Sequence, residues 1–420
     1  MDFTTIKANL SKLLADRVYT TTMNKRYTRE YIPITYETNA AYIDADIKEK
    51  SKPDRRLFNH FEKDIVDTKT SYFIGNPVVV SVRSKNEGMQ EYIRRFNSRI
   101  DHEDSFSEIT KGTAITGRGG MLLYKDSNSQ VTGLPISSTE FMVFYNLKDP
   151  VMAIRNYKDT DLVERLEVFD KETIYSYHKV DGEWIEEEPV IHGFKRVPLV
   201  EVINNSERYS DYDSVVLLID AYNRLISDLS NEVEAFRLAY LVLRNMDATE
   251  EDLLKLRRTG AISIDGDGEV FFLTKNLNVA AITSMKEILE KNINKFASNV
   301  DFSSADFVSN VTRVAVAYKV RPLEQKTRTF ELKFNNFLKE LYRTAFSYVG
   351  NKVQYDYMDL TFMFTRNLPI NISEEIDMLV KLEGQVSDNK RYSMMSFIKD
   401  PQAEIDALAA QKLAVRNLET

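Results

Sequence analysis

The stretch from Leu218 to Leu243, LIDAYNRLISDLSNEVEAFRLAYLVL, holds neither glycine nor proline. Across and just before it, apolar residues fall at Val215, Leu218, Tyr222, Leu225, Leu229, Val233, Phe236, Tyr240 and Leu243. Gaps of three and four make a heptad-like seam with one residue inserted, a stutter. The spacing predicts a single helix over 212–245, about 50 Å long at 1.5 Å per residue. Its other faces carry Asp220, Asn223, Arg224, Ser227, Asp228, Asn231, Glu232 and Glu234. A helix apolar along one stripe needs a partner on that stripe, not a surrounding core. A second helix, 282–300, offers one through Met285, Leu289, Ile293, Phe296 and Val300.

Residues 246–281 separate the two helices. Thr249 can cap a short helix that Gly260 ends, and a hairpin is expected around Asp265-Gly266-Asp267-Gly268. So small a unit at the tip of a helix pair buries little alone, and it is expected to pack against copies of itself. DFSSADFVSN, 301–310, has no strong pattern. Another long helix is predicted after it, with Asn310 as N-cap and Gly350 at C′. Pro322 inside it predicts a kink near Val320. VQYDYMDLTFMF is expected to be a strand pair or one long strand. The tail, 371–420, is expected to be helical, with Asp400-Pro401 at one helix start.

The first 70 residues are expected to form helices with polar joints. HFEKDIVDTKTSYFIG repeats Phe61, Ile65, Thr68 and Tyr72 at helical spacing and stops at Gly75. NPVVVSV, 76–82, is the first strand signal, followed by two amphipathic helices, EGMQEYIRRFNSRI and SFSEITKGTAITG. From Met121 the period becomes that of strands. EFMVFYN, VMAIRNYK, LVERLEVFD, TIYSYHKVDGEWIEEEP and VPLVEVIN follow at short spacing, with an Asp-Gly hairpin at Asp181-Gly182. Residues 71–205 thus predict an α+β domain with a mainly antiparallel sheet.

A chain of 420 residues with 43% hydrophobic and 29% charged side chains can bury real cores in two to four domains. Its net charge of −8 argues against gripping nucleic acid over a large surface, because neutralising phosphates takes Lys and Arg. It does not argue against passing near it. With no cysteine, disulfides, thiolate catalysis and Cys-based zinc sites are ruled out. The N-terminus lacks a signal-peptide core, and no apolar run approaches the length of a membrane span.

Several catalytic signals fail. GTAITGRGG, 112–120, nearly spells a phosphate-binding loop, but Arg118 and Gly119 stand where lysine and a hydroxyl are needed. A packed helix–strand turn is the better account. DGDGEVFFLTKN has Val270 and Asn276 where a calcium loop needs Gly and Glu. His60, His102, His178 and His192 never pair at metal-ligand spacing, so no metal or cofactor is expected. The 22 tyrosines and 23 phenylalanines lie mostly on strand or helix core positions.

The order of elements carries a resemblance: helical N-terminus, α/β domain, long helix, small insert, return helix, loop, proline-bearing long helix, helical cap. It resembles the portal proteins of tailed phages, more closely those of long-tailed phages of Gram-positive hosts. HFEKDIVDTKTSYFIGNPV is similar to that family's helix leading to an aromatic Asn-Pro strand. LIDAYNRLISDLSNEVEAFRLAYLVL resembles its stem helix, and GQVSDNKRYSMMSFIKDPQAEID its C-terminal crown segment. FVSNVTRVAVAYKV matches the family's Phe-x-Gly-Asn-x-Ser-Gly-x-Ala pattern at Phe307, Asn310, Thr312 and Ala315. Ser309 and Arg313 replace its two glycines.

The resemblance implies a helix-rich α+β fold with N-terminal helices and wing at 1–210 and stem helix at 211–246. The clip follows at 247–281, the second stem helix at 282–300 and the tunnel loop at 301–312. The proline-bearing helix with its return to the wing takes 313–370, and the crown 371–420. It implies a non-enzymatic ring of about twelve subunits at one capsid vertex of the virion, assembled in the host cytoplasm. Double-stranded DNA would pass through without sequence readout. Partners would be the terminase large subunit, a head-completion or adaptor protein, and the major capsid and scaffolding proteins, with no membrane and no cofactor. Asp301, Ser303, Ser304, Asp306, Ser309 and Asn310 become DNA-facing tunnel-loop candidates; the plain alternative is a polar helix connection. Lys286, Lys291 and Lys295 could ring the channel, or be solvated or paired with Glu287 and Glu290. Arg257, Arg258, Asp265 and Asp267 become a clip docking surface, although the two arginines could equally complement their helix dipole. Two other classes stay open: a ring-shaped motor, for which no Walker lysine is present, and a non-ring coiled-coil scaffold or minor capsid protein.

Overall fold

In the computed structural model, which describes residues 3–30, 56–84, 86–236, 240–244, 269–273, 279–302, 313–351, 353–367, 372–395, 398 and 401–418, the alternating segments after Met121 fold as strands. They pair without exception antiparallel, but in two sheets where one was expected. Strands β2 (Arg118–Lys125), β3 (Val131–Ile136) and β10 (Leu199–Ile203) form the smaller, in the order β10-β2-β3. The larger joins β4 (Phe141–Asn146), β5 (Asp149–Lys158), β6 (Glu164–Phe169), β7 (Thr173–Val180) and β8 (Glu183–Glu186) in sequence, with β9 (Val190–Ile191) also on β7. The hairpin between β7 and β8 turns at Asp181 (φ 50°) and Gly182 (φ 88°), the two left-handed residues that a type I′ turn requires.

The larger sheet is covered on one face by α1 (Phe3–Thr28). Ile6, Leu10 and Leu13 recur at helical spacing and pack on Met152, Ile154, Leu166, Val168 and Tyr177, which alternate along β5, β6 and β7. The opposite face closes around Phe141, Val143, Ala153 and Phe169 with Val197 and Leu199. Between these helices and sheets, α4 (His102–Thr116) ends at Gly117, whose φ of 85° is left-handed, and β2 begins at the next residue. A side chain at Gly117 would overlap the Arg208 carbonyl. The GTAITGRGG run is therefore the packed helix–strand turn that its missing lysine suggested.

The largest core cluster is organised by the longest of the described helices, α7 (Arg313–Phe346), which contains Pro322. Phe330, Phe334, Phe337, Leu338, Leu341, Tyr342, Ala345 and Phe346 are all buried against α2 (Phe61–Ile74), α3 (Glu87–Arg99) and α4. Phe334 alone meets the rings of Phe73, Phe106, Phe330, Phe337 and Phe364 with centroids 5.3–6.2 Å apart. Offset and edge-to-face rings at this spacing add about 1 kcal/mol per pair beyond burial.

Other expectations are corrected. β1 (Val79–Val82) joins neither of these sheets; it pairs with β13 (Leu360–Met363), so only four residues of VQYDYMDLTFMF are strand. Gly75 caps α2 in the right-handed conformation, φ −61°. Gly350 does not cap α7, which ends at Phe346; Tyr348 bridges to Phe194 instead, and its ring fills the space a side chain at Gly350 would need.

The largest correction concerns the long seam. Helix α5 covers Val216–Phe236 only, about 30 Å, preceded by a 3-10 turn at Asp213–Val215. Tyr240–Arg244 is a strand, β11, paired with β12 (Glu269–Leu273). Tyr-Leu-Val-Leu satisfies a strand pattern as well as a helical one, and the EVFFL run supplies the ladder that decides between them. The upstream strand of the hairpin expected around Asp265–Gly268 lies outside the described residues. α6 spans Val279–Ala297, shifted three residues toward the N-terminus. The clip helix, Thr249, Gly260 and the residues around Asp265 lie outside the described residues.

Residues 366–420 form a separate compact unit. It consists of α8 (Ile372–Lys381), α9 (Asp388–Ser393) and α10 (Pro401–Leu418), the last with proline at its first position. Ser387 caps α9 through the Lys390 amide.

Candidate functional site

Helices α5 and α6 meet through Ile219 and Tyr222 on one side and Leu289, Ile293 and Ala297 on the other. Met23, Ile65, Val66, Ala114, Ile115 and Tyr212 close the same cluster from α1, α2, α4 and the residues before α5. Ile219 and Ile293 are fully buried, each contributing about 2 kcal/mol through the apolar surface it hides. Polar bonds clamp the base of the pair. Lys326 Nζ donates to the Ala297 carbonyl at 2.9 Å, and Asn299 Nδ2 donates to Asp64 Oδ2 at 2.7 Å. Asn223 and Ser227 accept the Asn59 and Leu57 amides at 2.8 and 2.9 Å.

Two buried charge clusters fasten this base, and neither was foreseen. In the first, one guanidinium serves two carboxylates: Arg26 Nη2 lies 2.5 Å from Asp220 Oδ1 on α5 and 3.3 Å from Glu62 Oε1 on α2. Glu62 has no exposed surface, and burial pushes its carboxyl up to about 7 despite Arg26. In the second, Lys69 Nζ lies 2.9 Å from Asp211 Oδ2 and donates to Asn204 Oδ1 at 2.6 Å, while Lys326 Nζ lies 3.2 Å from Asp211 Oδ1. Burial brings the Lys69 ammonium down to about 8. Burial raises Asp211, but Lys326 and Lys69 outweigh it and hold its carboxyl below the usual range. The signal was present in the sequence. Glu62 and Lys69 sit on the same helical stripe as Ile65, Val66 and Phe73, where a charge is costly unless paired.

One side of the pair is exposed. The apolar positions of α6 divide: Leu289 and Ile293 turn inward, whereas Met285, Ile288 and Phe296 stay 48%, 51% and 55% exposed on an adjoining stripe. Residues four apart drift about 40° around a helix, so Met285, Leu289 and Ile293 do not all face one neighbour. On α5, Val233 of the predicted seam and Leu217 are also exposed, Leu217 by 82%.

Lys286, Lys291 and Lys295 are exposed on α6. Lys291 and Lys295 lie one turn apart on the side away from Ile293, and Lys286 lies beyond the covered stretch. Among the described residues none of the three pairs with Glu287 or Glu290; Lys295 lies 5.6 Å from the Phe296 ring centre. Asp301 is exposed just after buried Val300. Burial raises Asp64 nearby, and the Asp301 charge adds to the rise. Ser303, Ser304, Asp306, Ser309 and Asn310, and with them Arg257, Arg258, Asp265 and Asp267, lie outside the described residues.

The histidines take local roles. His178 Nδ1 lies 2.9 Å from Glu187, and His192 Nδ1 accepts the Phe194 amide at 3.0 Å. Among the described residues no three His, Asp or Glu side chains converge as metal ligands, and no helix is long and apolar enough to cross a membrane.

A family model for phage portal proteins, SPP1 Gp6-like, matches residues 15–416. The portal protein of Bacillus phage SPP1 is 26% identical over 395 residues, covering 87% of this chain and 78% of its own. That of Clostridium phage phiCD119 is 23% identical over 371 residues, covering 79% of each. The neck of an empty GTA particle superposes with a TM-score of 0.46 at 11% identity, covering 80% of this chain and 88% of that one, a likeness too slight to argue from.

Proposed function

Since the chain belongs to the SPP1 Gp6-like family of phage portal proteins, we propose that its copies close into a ring at one capsid vertex and form the conduit for double-stranded DNA. The observation that carries this reading is the second apolar stripe of α6. Met285, Ile288 and Phe296 lie exposed beside a stripe already occupied by α5. A ring contact is heterologous: one surface of each copy meets a different surface of the next. A helix with one stripe turned inward and another outward suits that geometry.

The ring number follows the family at about twelve. The net charge of −8 supports a passage that repels phosphates rather than holding them. In this reading 301–312, with Asp301, Ser303, Ser304, Asp306, Ser309 and Asn310, is the loop beside the DNA. Lys286, Lys291 and Lys295 lie on the stem, and Arg257, Arg258, Asp265 and Asp267 lie where the terminase and the adaptor would dock. Major capsid and scaffolding proteins would meet the outer surface.

Negative-stain microscopy and mass measurement on the purified protein test the reading. Rings of about a dozen copies are expected, with Ile288→Asp/Phe296→Asp shifting the population to single chains of unchanged helicity. Monomers at every salt concentration, or rings indifferent to that double substitution, would overturn it.

A further inference from the structure

On the wing, a cleft of about 650 Å³ opens between the last turns of α3 and the β2–β3 turn. Arg94, Arg95, Ser98 and Arg99 line one wall, Asn128 and Gln130 the other. Every guanidinium is held by one edge. Arg94 Nε and Nη2 each donate to Glu91 at 2.9 Å, and Arg95 Nε donates to the same carboxylate at 2.5 Å. Arg99 donates through Nε to the Val131 carbonyl and through Nη1 to Gln130 Oε1, both at 2.8 Å. The remaining edges have no partner among the described residues: Arg94 Nη1, both Nη atoms of Arg95, and Arg99 Nη2.

The opposite wall is equally fixed. Asp126 Oδ1 accepts the amides of Asn128 and Gln130 at 2.9 and 2.8 Å, which locks the turn and occupies that carboxylate oxygen. Three guanidinium groups against the carboxylates of Glu91 and Asp126 leave the cleft positive within a chain of net charge −8.

We propose that this cleft docks a short acidic segment of another protein, its carboxylates meeting the open guanidinium edges. A guanidinium engaged on one side still presents N–H donors on the other, which can meet a carboxylate in bidentate fashion. A DNA duplex is the poorer fit. Glu87 precedes the arginines and Asp101, Glu103 and Asp104 follow them, all exposed, so a continuous row of phosphates would run onto negative charge. The cleft belongs to the single chain and does not depend on ring closure.

The test is a titration of the full chain with a labelled peptide of alternating Glu and Ser, against its Gln–Ser counterpart and a short DNA duplex. Binding to the acidic peptide alone is expected, weakening with salt. Arg94→Glu/Arg95→Glu should weaken it about tenfold or more, because rim charges are reversed where the ligand is charged. Arg94→Gln/Arg95→Gln should fall between and serves as the test if the reversal impairs folding. Arg83→Glu, exposed elsewhere on the wing, should leave binding unchanged. No binding of the acidic peptide, binding indifferent to both arginine pairs, or displacement of the peptide by the duplex would each overturn the proposal.

Discussion

Replacing Glu62 by glutamine should make the protein more stable at neutral and alkaline pH. Glu62 is completely buried, and its ionic partner among the described residues, Arg26, is shared with Asp220. Burial lifts its carboxyl from an ordinary 4.5 to about 7. A carboxyl whose folded pKa is raised takes up a proton on folding between those two values. Its favourable contribution is whole below about pH 4.5 and is lost as pH rises through about 7. A rise of that size corresponds to about 3 kcal/mol at 1.4 kcal/mol per pKa unit, the penalty carried by the ionised side chain above pH 7. Glutamine keeps the shape and removes the charge, while Asp220 retains Arg26. Urea unfolding at pH 5 and pH 8, at one protein concentration, measures the effect. The wild-type chain should lose about 2.5 kcal/mol more between the two than Glu62→Gln does, since at pH 5 a little of the full effect is already gone. Equal losses would refute the reasoning, since the buried carboxyl would then not be the titrating group.

Other outcomes follow from the same geometry. Lys69→Met should destabilise by about 3 kcal/mol, because buried Asp211 loses its buried cation and keeps only the partly exposed Lys326; a melt at pH 7 measures it. Gly117→Ala should prevent soluble expression, whereas Gly182→Ala, also left-handed but with nothing within 4 Å, should cost only about 1 kcal/mol. Phe334→Ala should cost about 4 kcal/mol through loss of the aromatic at the centre of its core cluster, read as a lower midpoint in urea.

Much of the architecture was legible. The Asp181-Gly182 hairpin, the strands from Met121 to Ile203 and the packed turn at 112–120 all followed from periodicity and turn chemistry. These signals are local: a side chain's fate in them depends on neighbours within one turn or one hairpin. The portal resemblance rested on element order, which is also a property of the chain itself. The clip and most tunnel-loop candidates fall outside the described residues.

The sequence by itself determined where apolar stripes lie, where chains must turn, and that no thiol chemistry is possible. Only the tertiary structure decided that Tyr240–Arg244 leaves the helix for a ladder with Glu269–Leu273, and that β1 finds its partner some 280 residues away in β13. It alone decided that Arg26, Glu62 and Asp220 share one buried site, and that Met285 and Phe296 face outward while Leu289 and Ile293 face in. Long-range pairing and burial depend on what arrives from distant segments. A residue's own periodicity reports that it is apolar or charged, not which neighbour will cover it.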